Sequence, residues 1–197
     1  MARRGSRRVN VPAGSRVRII GGRHRGRRLA FPDLPGLRPT PDRVRETLFN
    51  WLQPQLSGAA CLDLFAGSGA LGLEAASRGA GRVVMLDRSP LAVAALRRNV
   101  EQLGLDGQVT VIRADALAWL EGPAEPFDIL FLDPPFAEGL LEPGCRALEE
   151  GGWLAPGARI YLERALKGPA PGLPGDWAVL REKRAGQVCY QLLARGI

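Results

Sequence analysis

The clearest chemistry in the sequence lies in the tetrapeptide Asp133-Pro134-Pro135-Phe136, at the end of a strand predicted over residues 127–133. Two consecutive prolines stop a strand and stiffen the chain, because each fixes φ and lacks an N–H donor. The Asp133 carboxylate and the Pro134 carbonyl can then accept both N–H bonds of an exocyclic amino group, while Phe136 stacks on the base that carries it. This pattern indicates group transfer to a weakly nucleophilic amine, driven by positioning and electrostatics.

A second candidate site lies in residues 62–72, where a predicted strand runs into a glycine-rich turn and a helix start. Gly67, Gly69 and Gly72 have the spacing of a dinucleotide-binding loop. Asp87 ends the next predicted strand, where its carboxylate can accept hydrogen bonds from ribose hydroxyls. The glycines alone are equally typical of a nicotinamide-dependent oxidoreductase.

The carboxylate of Asp63 favours a different cofactor. A pyrophosphate binds backbone N–H groups at the positive end of a helix, so a carboxylate at this strand end would repel it. S-adenosylmethionine instead carries an ammonium and a sulfonium, and a carboxylate attracts both. Asp63 as a simple cap of the loop is the alternative, and that role suits either cofactor.

Asp115 is a third carboxylate that follows a predicted strand. It can accept from the amino group of adenine, and it can equally be the N-cap of the helix that follows it. Ligands of open parallel sheets bind at the carboxyl ends of the strands. Three acids at three such ends therefore favour one shared site.

The elements that must position these residues alternate between strand and helix from residue 60 onward. Strands that are apolar on both faces predict an α/β, Rossmann-like fold with a mostly parallel sheet covered on two sides. The predicted strands cover residues 61–65, 82–87, 108–112, 127–133 and 159–163, followed by an antiparallel hairpin of 177–183 and 187–194. The predicted helices cover residues 70–78, 90–104, 116–121 and 138–149, after a first helix that opens at Thr40-Pro41 with Thr40 as its cap.

Positive charge is concentrated at the start of the chain. Residues 1–28 hold ten arginines and no acid, although the net charge of all 197 residues is only +7. A basic segment of this kind is typical of binding to a polyphosphate, and a solvated arginine-rich tail is the alternative. The arginines predicted to contact RNA are Arg3, Arg4, Arg7 and Arg8, together with Arg23, Arg25 and Arg27 around the turn of a small β-hairpin.

Other residue types argue against several functions. Cys61, Cys145 and Cys189 have no metal-ligand spacing and predict reduced, at least partly buried thiols of a cytoplasmic protein. His24 is the single histidine, which argues against zinc or a histidine-based nucleophile. No apolar stretch approaches the roughly 20 residues that span a bilayer, and the basic start lacks the apolar part of a secretory signal. We expect a monomer without a metal or a membrane partner.

With these segments assembled, the chain resembles the class I methyltransferases and, within them, the bacterial RsmD family of 16S ribosomal RNA guanine-N2 methyltransferases. The resemblance spans residues 16–195. It is carried by RIIGG (18–22) with RGR (25–27), RPTPDRVRE (38–46), DLFAGSG (63–69), DPPF (133–136) and GQV (186–188). The glycine loop is generic to the class, whereas the first, second and fourth segments in combination are specific to the family.

The resemblance implies a seven-stranded sheet in the order 3-2-1-4-5-7-6 and a guanine of the small ribosomal subunit as target, with ribosomal proteins of the assembling particle as a further part of the substrate. It also implies that Thr40, Arg43 and Arg45 form a wall near the methionine end of S-adenosylmethionine, with Arg43 as a partner for its carboxylate. The predicted catalytic residues are Asp133, Pro134, Pro135 and Phe136. The predicted cofactor-binding residues are Thr40, Arg43, Asp63, Phe65, Ala66, Gly67, Ser68, Gly69, Asp87, Arg88, Ser89, Asp115 and Ala116.

On this basis residues 1–15 form a disordered basic arm, residues 16–52 a hairpin and helix that bind RNA and cover the cofactor, and residues 53–197 the methyltransferase domain. The arm is longer and more basic than the family leads us to expect. A DNA methyltransferase acting on adenine N6 or cytosine N4 would use the same tetrapeptide but needs a separate recognition domain. An oxidoreductase gives that tetrapeptide no use, and a pure RNA-binding factor leaves the cofactor residues unexplained.

Overall fold

A seven-stranded sheet is the centre of the computed structural model, which describes residues 15–196. The strands are β1 (Arg16–Arg18), β2 (Arg28–Ala30), β3 (Ala60–Asp63), β4 (Arg82–Asp87), β5 (Val109–Arg113), β6 (Phe127–Leu132), β7 (Leu154–Ala165), β8 (Trp177–Ala185) and β9 (Val188–Arg195). The α-helices are α1 (Asp42–Leu56), α2 (Gly72–Ser77), α3 (Pro90–Leu103), α4 (Ala116–Leu120) and α5 (Leu141–Glu150). Short 3-10 helices lie at Gly22–His24 and Phe136–Glu138.

The sheet has the order β5-β4-β3-β6-β7-β9-β8, and β1 pairs with β2 in a separate antiparallel hairpin. Neighbours among the first five strands are parallel, whereas β9 runs antiparallel to both β7 and β8. Counted within this sheet alone, the order is 3-2-1-4-5-7-6. The predicted fold class and strand order are confirmed. All five parallel strands therefore end at one edge of the sheet.

Local sequence signals explain how the chain enters and leaves α3. The Ser89 side chain accepts from the Ala92 N–H at 3.4 Å as N-cap, and Pro90 occupies the first turn. The helix ends at Gly104, which takes the left-handed conformation at φ 65°. The segment between β4 and β5 is thereby held against the sheet.

Two apolar layers flank the sheet. One contains residues of α1, α2 and α3, and the other contains residues of α4 and α5. Val17 and Leu29 of the β1–β2 hairpin belong to the first layer, so the hairpin shares a core with the rest of the chain. The predicted division at residues 52 and 53 falls inside α1.

Several predicted element bounds differ from the structure, and two of the differences have a clear physical reason. Helix α1 begins at Asp42 without a side-chain cap, because the Thr40 hydroxyl interacts with carboxyls of the cavity described below. Strand β7 is much longer than residues 159–163, because it pairs with β6 on one side and β9 on the other.

Cys61, Cys145 and Cys189 are buried and form no disulfide, so the prediction of buried, reduced thiols is confirmed. Within residues 15–196 no helix is both long and apolar enough to cross a membrane. Arg3, Arg4, Arg7 and Arg8, with nearly all of the predicted arm, lie outside the described residues.

Candidate active site

A cavity of about 760 Å³ opens where the parallel strands end. Its walls are the segments that follow β3, β4, β5 and β6, the segment 34–41 before α1, and parts of β7 and β9. All predicted catalytic residues and every predicted cofactor residue except Arg43 and Gly69 line it. The structure thus brings the separate sequence motifs to one place.

The glycine loop needs its glycines for backbone reasons. Gly67 and Gly69 have φ of 50° and 78°, in the left-handed region. A Cβ on Gly69 would also lie 2.6 Å from the Leu96 side chain. Gly69 therefore packs against the Leu96 side chain and is not among the residues that line the cavity.

The Asp63 side chain is hydrogen-bonded to the end of this loop. Its Oδ2 accepts from the Gly72 N–H at 2.9 Å, as the capping interpretation predicts. The carboxyl also lines the cavity, and burial raises its pKa to about 7. A cation in the cavity would favour its ionised form. Capping and cation binding are compatible roles for this one side chain.

Asp87 and Asp115 also serve the backbone. The two oxygens of Asp87 accept from the N–H groups of Gly67 at 2.9 Å and Ser89 at 2.7 Å, and burial raises its pKa. Asp115 caps α4 by accepting from Leu117 N–H at 3.1 Å and Ala118 N–H at 3.2 Å. Both residues line the cavity, and each carboxylate oxygen can accept a further hydrogen bond.

The tetrapeptide Asp133-Pro134-Pro135-Phe136 leaves β6 directly into the cavity wall. Asp133 is half-buried, and burial together with the neighbouring charge of Glu163 raises its pKa well above the ordinary range. Within residues 15–196 no donor bonds the Pro134 carbonyl, whereas the Pro135 carbonyl accepts from Glu138 N–H at 3.0 Å. Phe136 is 45% exposed. A carboxylate, a free carbonyl and an aromatic face are thus available to a base.

Four polar residues of the wall were not predicted from the sequence, namely Arg38, Glu138, Glu163 and Gln187. Each had a signal, since Glu138 begins a predicted helix, Glu163 ends a predicted strand, and the other two lie in the family motifs. Arg43, in contrast, is exposed in the first turn of α1 and outside the lining. Arg45 is 1% exposed, lies outside the lining and is paired with Glu74, so the structure does not place it in a cofactor wall.

The arginines of the hairpin turn lie at the other edge of the sheet. Arg23 bonds the side chain of Gln108, just before β5 begins, and Arg27 donates to the Gln102 carbonyl near the end of α3 at 3.4 Å. Arg25 is exposed beside them. Their role in RNA binding stays a prediction, and RNA would have to extend across the domain to reach both them and the cavity.

The residues present fit S-adenosylmethionine. Acceptors stand at the ends of three successive strands, and Phe65 and Leu117 add apolar surface to the same cavity. In the described part of the chain no group of three or more His, Cys, Asp or Glu side chains could hold a metal ion. The site therefore offers positioned acceptors and an aromatic face as its chemical means.

Comparison with known proteins finds relatives by sequence and by structure. The family model described as conserved hypothetical protein 95 matches residues 17–194. Ribosomal RNA small subunit methyltransferase D of Escherichia coli is 48% identical over 186 residues, which cover 94% of this chain and 93% of that protein. The Haemophilus influenzae protein of the same name is 43% identical over 190 residues, 94% of this chain and 98% of that protein. A solved structure described as a putative methyltransferase from E. coli matches with a TM-score of 0.86 at 45% identity, covering 93% of this chain and 99% of that chain.

Proposed function

Because the chain belongs to the RsmD family of S-adenosylmethionine-dependent methyltransferases, we propose that it methylates the exocyclic N2 amino group of a guanine in small-subunit ribosomal RNA. The observation that carries the proposal is the pair of acceptors on Asp133 and Pro134, which line the same cavity as the glycine loop. Because the same fold supports many different reactions, the reaction is inferred from this pair of acceptors and not from the fold.

When bound, S-adenosylmethionine supplies an electrophilic methyl group. Asp63 suits its cationic methionine end, Asp87 its ribose hydroxyls and Asp115 its adenine amine. Arg38 takes the place that sequence reasoning gave to Arg43, because it is an arginine on the cavity wall and can pair with the cofactor carboxylate.

Asp133 and Pro134 act on the target amine. The lone pair of this amine is delocalised into the base, so the nitrogen is a weak nucleophile. Two acceptors that bind its two N–H groups favour a pyramidal nitrogen, whose lone pair is no longer conjugated with the ring. Asp133 in its ionised form can then take the proton that the amine loses. Phe136 holds the base by stacking, which contributes about 1–3 kcal/mol.

Mass spectrometry of nucleosides tests the proposal. Small-subunit ribosomal RNA, naked or in partly assembled particles, is incubated with the enzyme and isotopically labelled cofactor. We expect the label in N2-methylguanosine. Label in N6-methyladenosine or N4-methylcytidine would contradict the proposed position, and the better of the two RNA forms identifies the substrate state.

A thermal shift assay separates cofactor classes. S-adenosylhomocysteine at 100 times its dissociation constant should stabilise the protein by about 2.7 kcal/mol. NAD should leave the midpoint unchanged. The opposite result would favour an oxidoreductase.

We further propose that the basic arm binds RNA phosphates and that the protein acts as a cytoplasmic monomer. Removal of residues 1–15 should lower RNA affinity and make that affinity less dependent on salt. The logarithm of the binding constant falls with the logarithm of the salt concentration, with a slope of about −0.7 per phosphate contact on single strands. Filter binding of both forms at two ionic strengths measures this. Equal curves would mean that the arm is solvated and idle.

A further inference from the structure

Glu163 is a second carboxyl beside Asp133, and no step proposed above uses it. Leu132 of β6 pairs with Leu162 of β7 in parallel register, and Asp133 and Glu163 are the next residues of these two chains. Adjacent strands of a sheet lie about 4.8 Å apart. Glu163 is only 5% exposed and yet lines the cavity. The two carboxyls can therefore contact the same ligand.

Hydroxyl groups are the partners that the protein gives to Glu163. The Tyr161 hydroxyl donates to Oε1 at 2.7 Å, and the Thr40 hydroxyl interacts with the same carboxyl. Among residues 15–196 neither Glu163 nor Asp133 forms a salt bridge. Burial raises the pKa of both carboxyls. A buried carboxylate without a cation is costly, so a ligand that brings N–H donors fits this place.

Bases that carry an exocyclic amine differ at the ring nitrogen beside it. In guanine the N2 amine lies between N1–H, which is a donor, and N3, which is an acceptor. In adenine and in cytosine the ring nitrogen next to the amine is an acceptor. The N–H donors of a bound base favour the ionised form of the carboxyl and so oppose the effect of burial on its pKa. An ionised carboxyl can only accept, so it pairs with the first arrangement and faces a lone pair in the other two.

We infer that Glu163 selects guanine by accepting the N1–H bond while Asp133 accepts from the N2 amine. The inference rests on the proposed function and adds a residue that reads the identity of the base. A site built to bond a donor rejects an analogue without that donor, because its own polar group is then left unpaired. Glu163 thus gives the same acceptor tetrapeptide a reason to act on guanine rather than on adenine or cytosine.

The test uses a base analogue that lacks the N1–H donor and carries an amine in place of the 6-oxo group, so the variants described next are needed to assign the preference. A synthetic RNA fragment carries either the guanine identified by the nucleoside experiment or 2,6-diaminopurine at that position. Diaminopurine keeps the 2-amino group and lacks N1–H. The wild-type enzyme should favour guanine by about 10- to 100-fold in kcat/KM, since a hydrogen bond to a charged group is at stake.

Glu163→Gln assigns the preference to this side chain. A glutamine amide can both accept and donate, so the preference for guanine should fall to within about threefold. Tyr161→Phe is the matched control, since it removes a partner of Glu163 but leaves the carboxylate, and it should keep at least a tenfold preference. Calorimetric titration with S-adenosylhomocysteine checks that both variants are folded.

The possible outcomes distinguish failure of the role of Glu163 from failure of the proposed guanine methylation. Equal use of guanine and diaminopurine by the wild type, or a full preference in Glu163→Gln, would overturn the role of Glu163 and leave guanine methylation intact. Absence of guanine methylation by the wild type would contradict the proposed function itself.

Discussion

Glu74 and Glu163 are both buried carboxylates, but their surroundings are opposite. Glu74 is fully buried, and its four partners are the side chains of Arg45 at 3.3 Å and Arg78 at 2.6 Å and the N–H groups of Ile20 at 2.8 Å and Gly21 at 2.7 Å. Glu163 is bonded by the hydroxyl of Tyr161 and lies beside a second acid, Asp133.

The difference separates structure from function. The protein neutralises Glu74 with its own groups, and these join the hairpin and α1 to α2. Among residues 15–196 no cationic side chain forms a salt bridge with Asp133 or Glu163, and both residues line the cavity. Glu74 therefore connects parts of the fold, whereas Asp133 and Glu163 are available to a ligand.

The largest effect should follow from removing the acceptor of the target amine. Asp133→Ala should lower the rate of methyl transfer about 1,000-fold, because the amine loses a positioned partner in the transition state. Its affinity for S-adenosylhomocysteine should change less than threefold. Single-turnover kinetics and calorimetry measure the two quantities, and near-wild-type transfer would remove Asp133 from the mechanism.

The next effect concerns stability at the other acid. Glu74→Gln should lower the free energy of unfolding by about 3 kcal/mol, because Arg45 and Arg78 lose the buried carboxylate that they share, and Arg45 keeps only its ion pair with Asp42. Urea denaturation measures this. Glu125→Gln is the matched control, since Glu125 pairs with Arg82 at an exposed site and its loss should be undetectable. Equal curves for both variants would mean that the buried network contributes nothing.

Asp87 combines the two roles. It accepts hydrogen bonds from the backbone, as Glu74 does, and it also lines the cavity, as Glu163 does. Asp87→Ala should weaken S-adenosylhomocysteine binding at least tenfold, since charge-assisted hydrogen bonds are each worth roughly 1.5–3 kcal/mol. Calorimetry measures this, with Asp106→Ala as the control at an exposed position before β5. Unchanged affinity would leave Asp87 as a loop-capping residue only.

The smallest effect concerns how much the buried, ionised carboxylate of Glu163 lowers the free energy of unfolding. Burial raises the pKa of Glu163 in the folded protein, so the folded state binds more protons than the unfolded chain between the two pKa values. That contribution to stability is complete in acid and is lost as the pH rises through the folded-state pKa. Glu163→Gln should therefore be about 1 kcal/mol more stable than wild type at neutral pH and gain nothing in acid. Urea titrations across this pH range measure the difference, and a variant less stable at neutral pH would contradict the comparison.

The local sequence determined the elements and the motifs. Strand β4 could be predicted residue for residue, because its apolar run ends at an acid that starts a turn. Helix α3 could be predicted within one residue, because serine, proline and a final glycine mark its ends. The three strand-end acids, the glycine loop and the proline tetrapeptide were likewise visible as residues that interrupt apolar segments.

Only the tertiary structure decided what each acid and arginine faces. Sequence spacing could not separate Arg43, which is exposed, from Arg38, which lines the cavity, because both lie in one family motif. It could not show that Glu163 joins Asp133, because the two are thirty residues apart and meet through the pairing of β6 with β7. Periodicity reports which face of an element is buried, whereas the partner of a buried charge depends on the register between elements distant in the chain.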